Sequence, residues 1–255
     1  MKMQDNGKGD TAWFVHDRFG MFIHWGYSMP ARHEWTRYKE EMTDEQYSIY
    51  FKHFDPDHFC PAKWARQAAN AGMKYVVITA KHHEGFCLWD TEYTNFKATK
   101  TPAGRDLLRE LIDAFRAEGL RIGIYYSLID WHHKDFILDG LHPYRNQVDR
   151  DEFNQGRDMK RYALYMRNQV SELLSNYGKI DIMWFDFSYP QNEFGKGRDD
   201  WESEKQVEHI RSLQPDIILE NLVKKLFSSL GHVVSTEEGD EFSALMVASS
   251  SGTGF

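Results

Sequence analysis

Three apolar runs in this sequence end on side chains that can do chemistry. FGMFIHWG (residues 19–26) closes on the imidazole of His24, KHHEGF (81–86) sets His82 and His83 side by side, and IDIMWFDF (180–187) carries Asp186 near its end. A carboxylate after such a run is costly to bury unless it is paired or hydrogen-bonded, so Asp186 has a purpose there. Capping a following helix is the bland alternative, but Ser188-Tyr-Pro-Gln-Asn does not begin a helix at once. Two adjacent imidazoles suit either a metal ion or a polyhydroxylated ligand. The loop after the first run adds a carboxylate and an indole, Glu34 and Trp35, and GIYYSLIDWH (123–132) adds Tyr125. Taken alone, His24 reads as a structural histidine and Glu34 as a solvated charge. The sequence holds 8 Trp, 13 Tyr and 17 Phe, many beside His or Asp. Such rings are usually core, yet beside polar groups they also suit the apolar faces of a sugar.

The elements that must position these groups follow from the hydrophobic period. Short apolar, β-branched or aromatic runs predict strands at 19–25, 74–81, 121–127, 179–186, 216–220 and 232–236. Helical spacing predicts helices at 61–71, 105–118, 158–177 and 200–213. Alternation of this kind means parallel strands with crossover helices. Gly72, Gly119 and Gly178 mark the helix-to-strand junctions as left-handed caps. His24, His82, His83, Tyr125 and Asp186 all fall at or near strand C-terminal ends, where a barrel keeps its active site. No G-x-G-x-x-G or P-loop follows the first strand, so an α/β fold of the (β/α)8-like TIM barrel type is preferred over an open doubly wound sheet. About six strands are counted by pattern, making the barrel incomplete. Residues 1–241 form the expected barrel domain, and 242–255 are a serine- and glycine-biased tail with no strand-helix pattern.

Composition bounds the function classes. A chain of 255 residues with 41% apolar and 27% charged residues supports one sizeable core. A formal net charge of −8 with no basic patch argues against nucleic-acid binding. The polar opening MKMQDNGKGD has no signal-like apolar core and no stretch is long enough to span a membrane. The expected location is cytoplasmic, or secreted with a signal removed. Cys60 and Cys87 show neither metal spacing nor a disulfide framework.

FGMFIHWG, HEW, KYVVITAKHHEGFCLWDTEYTNF, GIYYSLIDWH and DIMWFDF together resemble the glycoside hydrolase family 29 α-L-fucosidases, from about Trp13 into the 210s. The resemblance implies hydrolysis of terminal α-L-fucosides with retention of configuration, by an Asp nucleophile and a Glu acid/base, without a metal or other cofactor. It carries the nucleophile onto Asp186 and substrate binding onto His24, Glu34, Trp35, His82, His83, Tyr125 and Trp184. The family's Gly-Asp-Phe-x-Thr-Pro-Glu pattern is followed loosely by Gly231-His-Val-Val-Ser-Thr-Glu237, so Glu237 is the acid/base candidate, with Glu238 and Glu241 behind it. An acidic solvated loop is the competing reading of that stretch. The family's Asn-x-Arg motif is absent from Leu219-Glu220-Asn221-Leu222.

Two other readings stay open: a fucose-binding pseudoenzyme or inactive barrel fragment, and a metal-dependent barrel hydrolase. The last is disfavoured because the first strand carries a single His24 rather than a His-x-His pair. The expected partner is a fucosylated oligosaccharide or glycoconjugate. An incomplete parallel sheet also leaves an unpaired edge, from which a homo-oligomer that covers it is expected.

Overall fold

The computed structural model describes residues 9–27 and 35–220 together with the backbone of 245–247. In chain order the helices are α1 (Ala12–Asp17), α2 (Thr36–Lys39), α3 (Asp44–Lys52), α4 (Pro61–Asn70), α5 (Leu107–Ala117), α6 (Arg150–Phe153), α7 (Met159–Asn176) and α8 (Ser203–Leu213). The strands are β1 (Gly20–Ile23), β2 (Tyr75–Lys81), β3 (Arg121–Ser127), β4 (Ile182–Asp186), β5 (Ile218–Glu220) and β6 (Leu245–Val247). All pairs are parallel, and the sheet order is β5-β4-β3-β2-β1-β6.

The long helices form where their apolar faces say they should. Leu107, Leu108, Leu111, Ile112 and Phe115 repeat at helical spacing on α5 and are fully buried, under an N-cap in which Asp106 accepts the Arg109 N–H. Burying each such side chain contributes about 1.5–3 kcal/mol, which outweighs the weak intrinsic stability of an 11-residue helix. Gly72, Gly119 and Gly178 have φ of 88°, 79° and 70°, the left-handed conformation that turns the chain from helix to strand.

Strand alternation splits the sheet into two faces. Phe22, Tyr75, Val77, Tyr125, Ile182 and Ile218 form one cluster inside the barrel, while Ile78, Ile122, Ile124, Met183 and Phe185 join the helices in a larger one. Helix α1 packs Trp13 and Phe14 against Tyr75, with ring centroids 5.9 and 5.2 Å apart, at the N-terminal end of β2.

Several expectations shift. The fourth strand begins at Ile182 rather than Lys179, because the Asp181 carboxylate is already engaged by the Ile122 N–H (3.1 Å) and Lys179 (3.0 Å). Helix α3 went unpredicted although Thr43 and Gln46 form a full capping box. Within the tail, Leu245–Val247 pairs with β1, Gly20 opposite Leu245, as three consecutive apolar residues can do on a free edge. The strand expected at 232–236 lies outside the described residues. Among the described residues the outer edge of β5 pairs with no further strand. No helix among them is long and apolar enough to cross a membrane.

Candidate active site

Asp186 is the last residue of β4 and shares its inward face with Ile182 and Trp184. Two donors fix its carboxylate. The Tyr125 hydroxyl donates to Oδ2 (2.8 Å), and the Phe187 N–H donates to Oδ1 (2.9 Å). The second bond depends on Phe187 taking φ 70°, a strained value for an aromatic residue that surrounding structure must hold. The loop beyond is pinned from within: Tyr189 donates to Asp139 (2.6 Å), and Lys196 pairs with the same buried carboxylate.

The imidazoles converge because β2 is bulged. Its register on β3 shifts between Thr79 and Lys81. Without the shift Lys81 would follow Tyr75, Val77 and Thr79 into the barrel. With it, Lys81 pairs beside Tyr126 and turns outward, fully buried against Asp130 (3.1 Å) and Tyr162 (3.2 Å). His82 then turns inward, its ring 4.6 Å from that of His24 and stacked 5.9 Å from Tyr125. The chain leaves the strand at this point, so His83 stays close as well, 4.0 Å ring to ring. Alternation allows one inward histidine on a continuing strand; the end of β2 accommodates both.

Each imidazole is held through Nδ1: His24 by Thr79 Oγ1 (2.9 Å), His82 by Glu84 (3.0 Å) and His83 by Ser127 Oγ (2.6 Å). Burial lowers the His24 pKa to about 4, assisted by neighbouring His82. Burial first, then His82, His24 and Lys81, holds His83 well below the usual histidine range. Both are therefore neutral near pH 7 and act as hydrogen-bonding groups rather than cations.

Aromatic rings flank this polar centre. Trp35 lies 4.7 Å from His83 and 5.0 Å from Phe187, with Trp131 behind it at 5.6 Å. On the inner side, half-buried Trp184 meets Phe22 at 5.7 Å, and Phe22 touches His24 at 5.8 Å. His24, Trp35, His82, His83, Tyr125, Trp184 and Asp186 thus form one continuous set. Tyr125 is 2% exposed, and its hydroxyl is spent on Asp186. Glu34, Glu237, Glu238 and Glu241 lie outside the described residues. Thr79, Glu84, Ser127, Trp131 and Phe187 were missed in sequence, although all five stand inside the quoted motifs. Among the described residues no three His, Cys, Asp or Glu side chains converge as a metal site.

At the strand C-termini a carboxylate, the neutral His24 and His83 imidazoles and aromatic rings are thus brought together, and residues 2–245 match the family model described as Alpha-L-fucosidase. The chain belongs to the α-L-fucosidase family. It is 33% identical to the human tissue α-L-fucosidase over 193 residues, which cover 69% of this chain and 39% of that protein. Its fold resembles α-L-fucosidase isoenzyme 1 of Paenibacillus thiaminolyticus, with a TM-score of 0.76 and 53% identity over 82% of this chain and 49% of the other. It also resembles a Bacteroides thetaiotaomicron family 29 α-L-fucosidase trapped as a covalent intermediate with 2-fluoro-fucosyl fluoride, with a TM-score of 0.69, 28% identity and 86% and 49% coverage. The chain therefore spans about half or less of the length of these relatives.

For a family 29 site, Tyr125→Phe removes one hydrogen bond to the carboxylate while keeping the buried ring. The expected result is a fall in kcat/KM on an aryl α-L-fucoside of about tenfold to a hundredfold, the worth of one bond to a charged group. Steady-state kinetics checks it, and a change under about twofold would mean that Tyr125 does not orient Asp186.

Proposed function

We propose that the chain carries the nucleophile-bearing part of a retaining α-L-fucosidase. Asp186 attacks the anomeric carbon of a terminal α-L-fucoside, and its C–O bond forms as the bond to the leaving oxygen breaks. An acid/base carboxyl, proposed as Glu237, protonates that oxygen. The same group then takes a proton from water, which displaces Asp186 and releases fucose with its α configuration. Retention requires the two carboxyl groups about 5–5.5 Å apart, so the acid/base must approach the mouth closely. His24, His82 and His83 are proposed to bind the fucose hydroxyls, Glu34 and Trp35 to complete that contact, and Trp184 to meet the apolar face of the sugar. A homo-oligomer covering the outer edge of β5 belongs to the same proposal.

The observation that carries this reading is the Asp186 carboxylate at the inner end of β4, oriented by Tyr125 and the Phe187 N–H beside three convergent imidazoles. The test follows p-nitrophenyl α-L-fucoside cleavage by proton NMR before mutarotation. α-Fucose as the first product supports double displacement; β-fucose points to direct attack by water. A folded chain that binds fucose but turns nothing over is the fucose-binding barrel fragment.

A further inference from the structure

Glu84 is 4% exposed, and its Oε2 lies 3.0 Å from His82 Nδ1. Burial alone would raise its pKa, but the hydrogen bond and proximity of His82 outweigh that and hold the carboxyl below its usual range. A carboxylate only accepts, so Nδ1 of His82 carries a proton, and in the neutral ring Nε2 then presents a lone pair. Ser127 imposes the same arrangement next door. Its hydroxyl proton is committed to the Ile129 carbonyl (2.8 Å), so its oxygen can only accept from Nδ1 of His83 at 2.6 Å. Two imidazoles 4.0 Å apart are thus both protonated on Nδ1. Among the described residues no hydrogen bond occupies Nε2 of His82.

We propose that Glu84 is a positioning residue that locks His82 in the Nδ1-protonated tautomer, so that Nε2 accepts the proton of one substrate hydroxyl. The ligand class is an O–H donor, and its assignment as a fucose hydroxyl rests on the function proposed above. Glu84 itself is enclosed and acts through His82. The neighbouring imidazole, fixed by Ser127, offers a second acceptor beside the first, so adjacent hydroxyls on one ring face can be read together. Without Glu84 the His82 ring has no fixed tautomer, and an Nε2–H would meet the hydroxyl hydrogen-on or force it to accept instead.

The tautomer is read directly by long-range ¹H–¹⁵N NMR on the imidazoles of the full chain, which needs no turnover. Wild type is expected to show Nδ1 of His82 protonated and Nε2 bare; Glu84→Gln, whose amide can also donate, is expected to shift His82 toward the Nε2-protonated form. A wild-type ring protonated on Nε2, or a ring unchanged in Glu84→Gln, overturns the proposal. If Glu84→Gln fails to fold, Glu84→Asp, which keeps the charge, takes its place and is expected to retain the wild-type tautomer. Kinetics on monodeoxy aryl fucosides then gives the second reading. Glu84→Gln should lower kcat/KM on the parent by about tenfold, mainly through KM, and leave it nearly unchanged on the one deoxy analogue that lacks the hydroxyl His82 receives. Equal losses on every analogue would reduce Glu84 to a structural carboxylate. Absence of turnover by wild type would sink the proposed function and leave the NMR result to decide the tautomer.

Discussion

Asp186→Gly is expected to lower kcat on an aryl α-L-fucoside by roughly three orders of magnitude or more, because the proposed mechanism forms the glycosyl ester on this carboxylate. The fold should survive. Asp186 is only half-buried at the mouth, and among the described residues its carboxylate is held by two neutral donors, the Tyr125 hydroxyl and the Phe187 N–H. Azide can enter the space left by the carboxylate and attack the same carbon. The expected rescue product is β-L-fucosyl azide, of inverted configuration, since only one displacement then occurs. Restored turnover with that product assigns the nucleophile to Asp186. Undiminished activity in Asp186→Gly would move the nucleophile elsewhere. This loss exceeds that expected for Tyr125→Phe, which weakens orientation but leaves the attacking atom.

The second large effect falls on stability. Asp130→Ala is expected to cost about 3–5 kcal/mol, because it strands a buried ammonium. Lys81 is 0% exposed, with Asp130 Oδ2 at 3.1 Å, Tyr162 Oη at 3.2 Å and the Tyr126 ring 4.3 Å from Nζ. Tyr162 gives its proton to the Leu128 carbonyl (2.8 Å), so its oxygen accepts from Lys81 but brings no charge. Asp130 Oδ1 also accepts the His132 and His133 N–H groups (3.1 and 3.0 Å), and the adjacent Trp131 N–H reaches the His83 carbonyl (2.9 Å). The variant should therefore lose activity as well as stability. Burial is the largest influence and would raise the Asp130 pKa, but Lys81 together with His133 and His132 outweighs it and the net shift is downward. A folded-state pKa below the unfolded one means that this stabilisation is present above the ordinary carboxylate range and is lost as pH falls through the folded value. Urea unfolding at neutral pH measures the loss. The double variant Lys81→Met/Asp130→Leu should be markedly more stable than Asp130→Ala, since neither charge is then left alone. A loss below about 1 kcal/mol in the single variant would mean that water reaches Lys81.

The parallel strands, their order along the chain and their glycine caps were legible because each rests on a local pattern. The runs at 121–127 and 75–81 alternate with amphipathic helices, and the site residues stand at strand ends where the barrel reading expects them. Short elements were not legible. Helices α2 and α6 are four residues each, too short for a period to declare itself. The three-residue strand in the tail exists through its pairing with β1 rather than through any signal of its own.

Sequence by itself determined the residue types available to the site, their order, and the family to which the motifs point. Only the tertiary structure decided how they meet. The bulge in β2 could not be read from KYVVITAKHH, because a one-residue slip in pairing is a property of two strands and leaves no mark on one. That slip turns Lys81 out to Asp130 and His82 in toward His24 and Tyr125. The tautomers of His82 and His83 were equally hidden, since Glu84 is near in sequence but Ser127 is 44 residues away. Whether an imidazole is an acceptor or a donor toward a ligand depends on the partner that the fold brings to its other nitrogen.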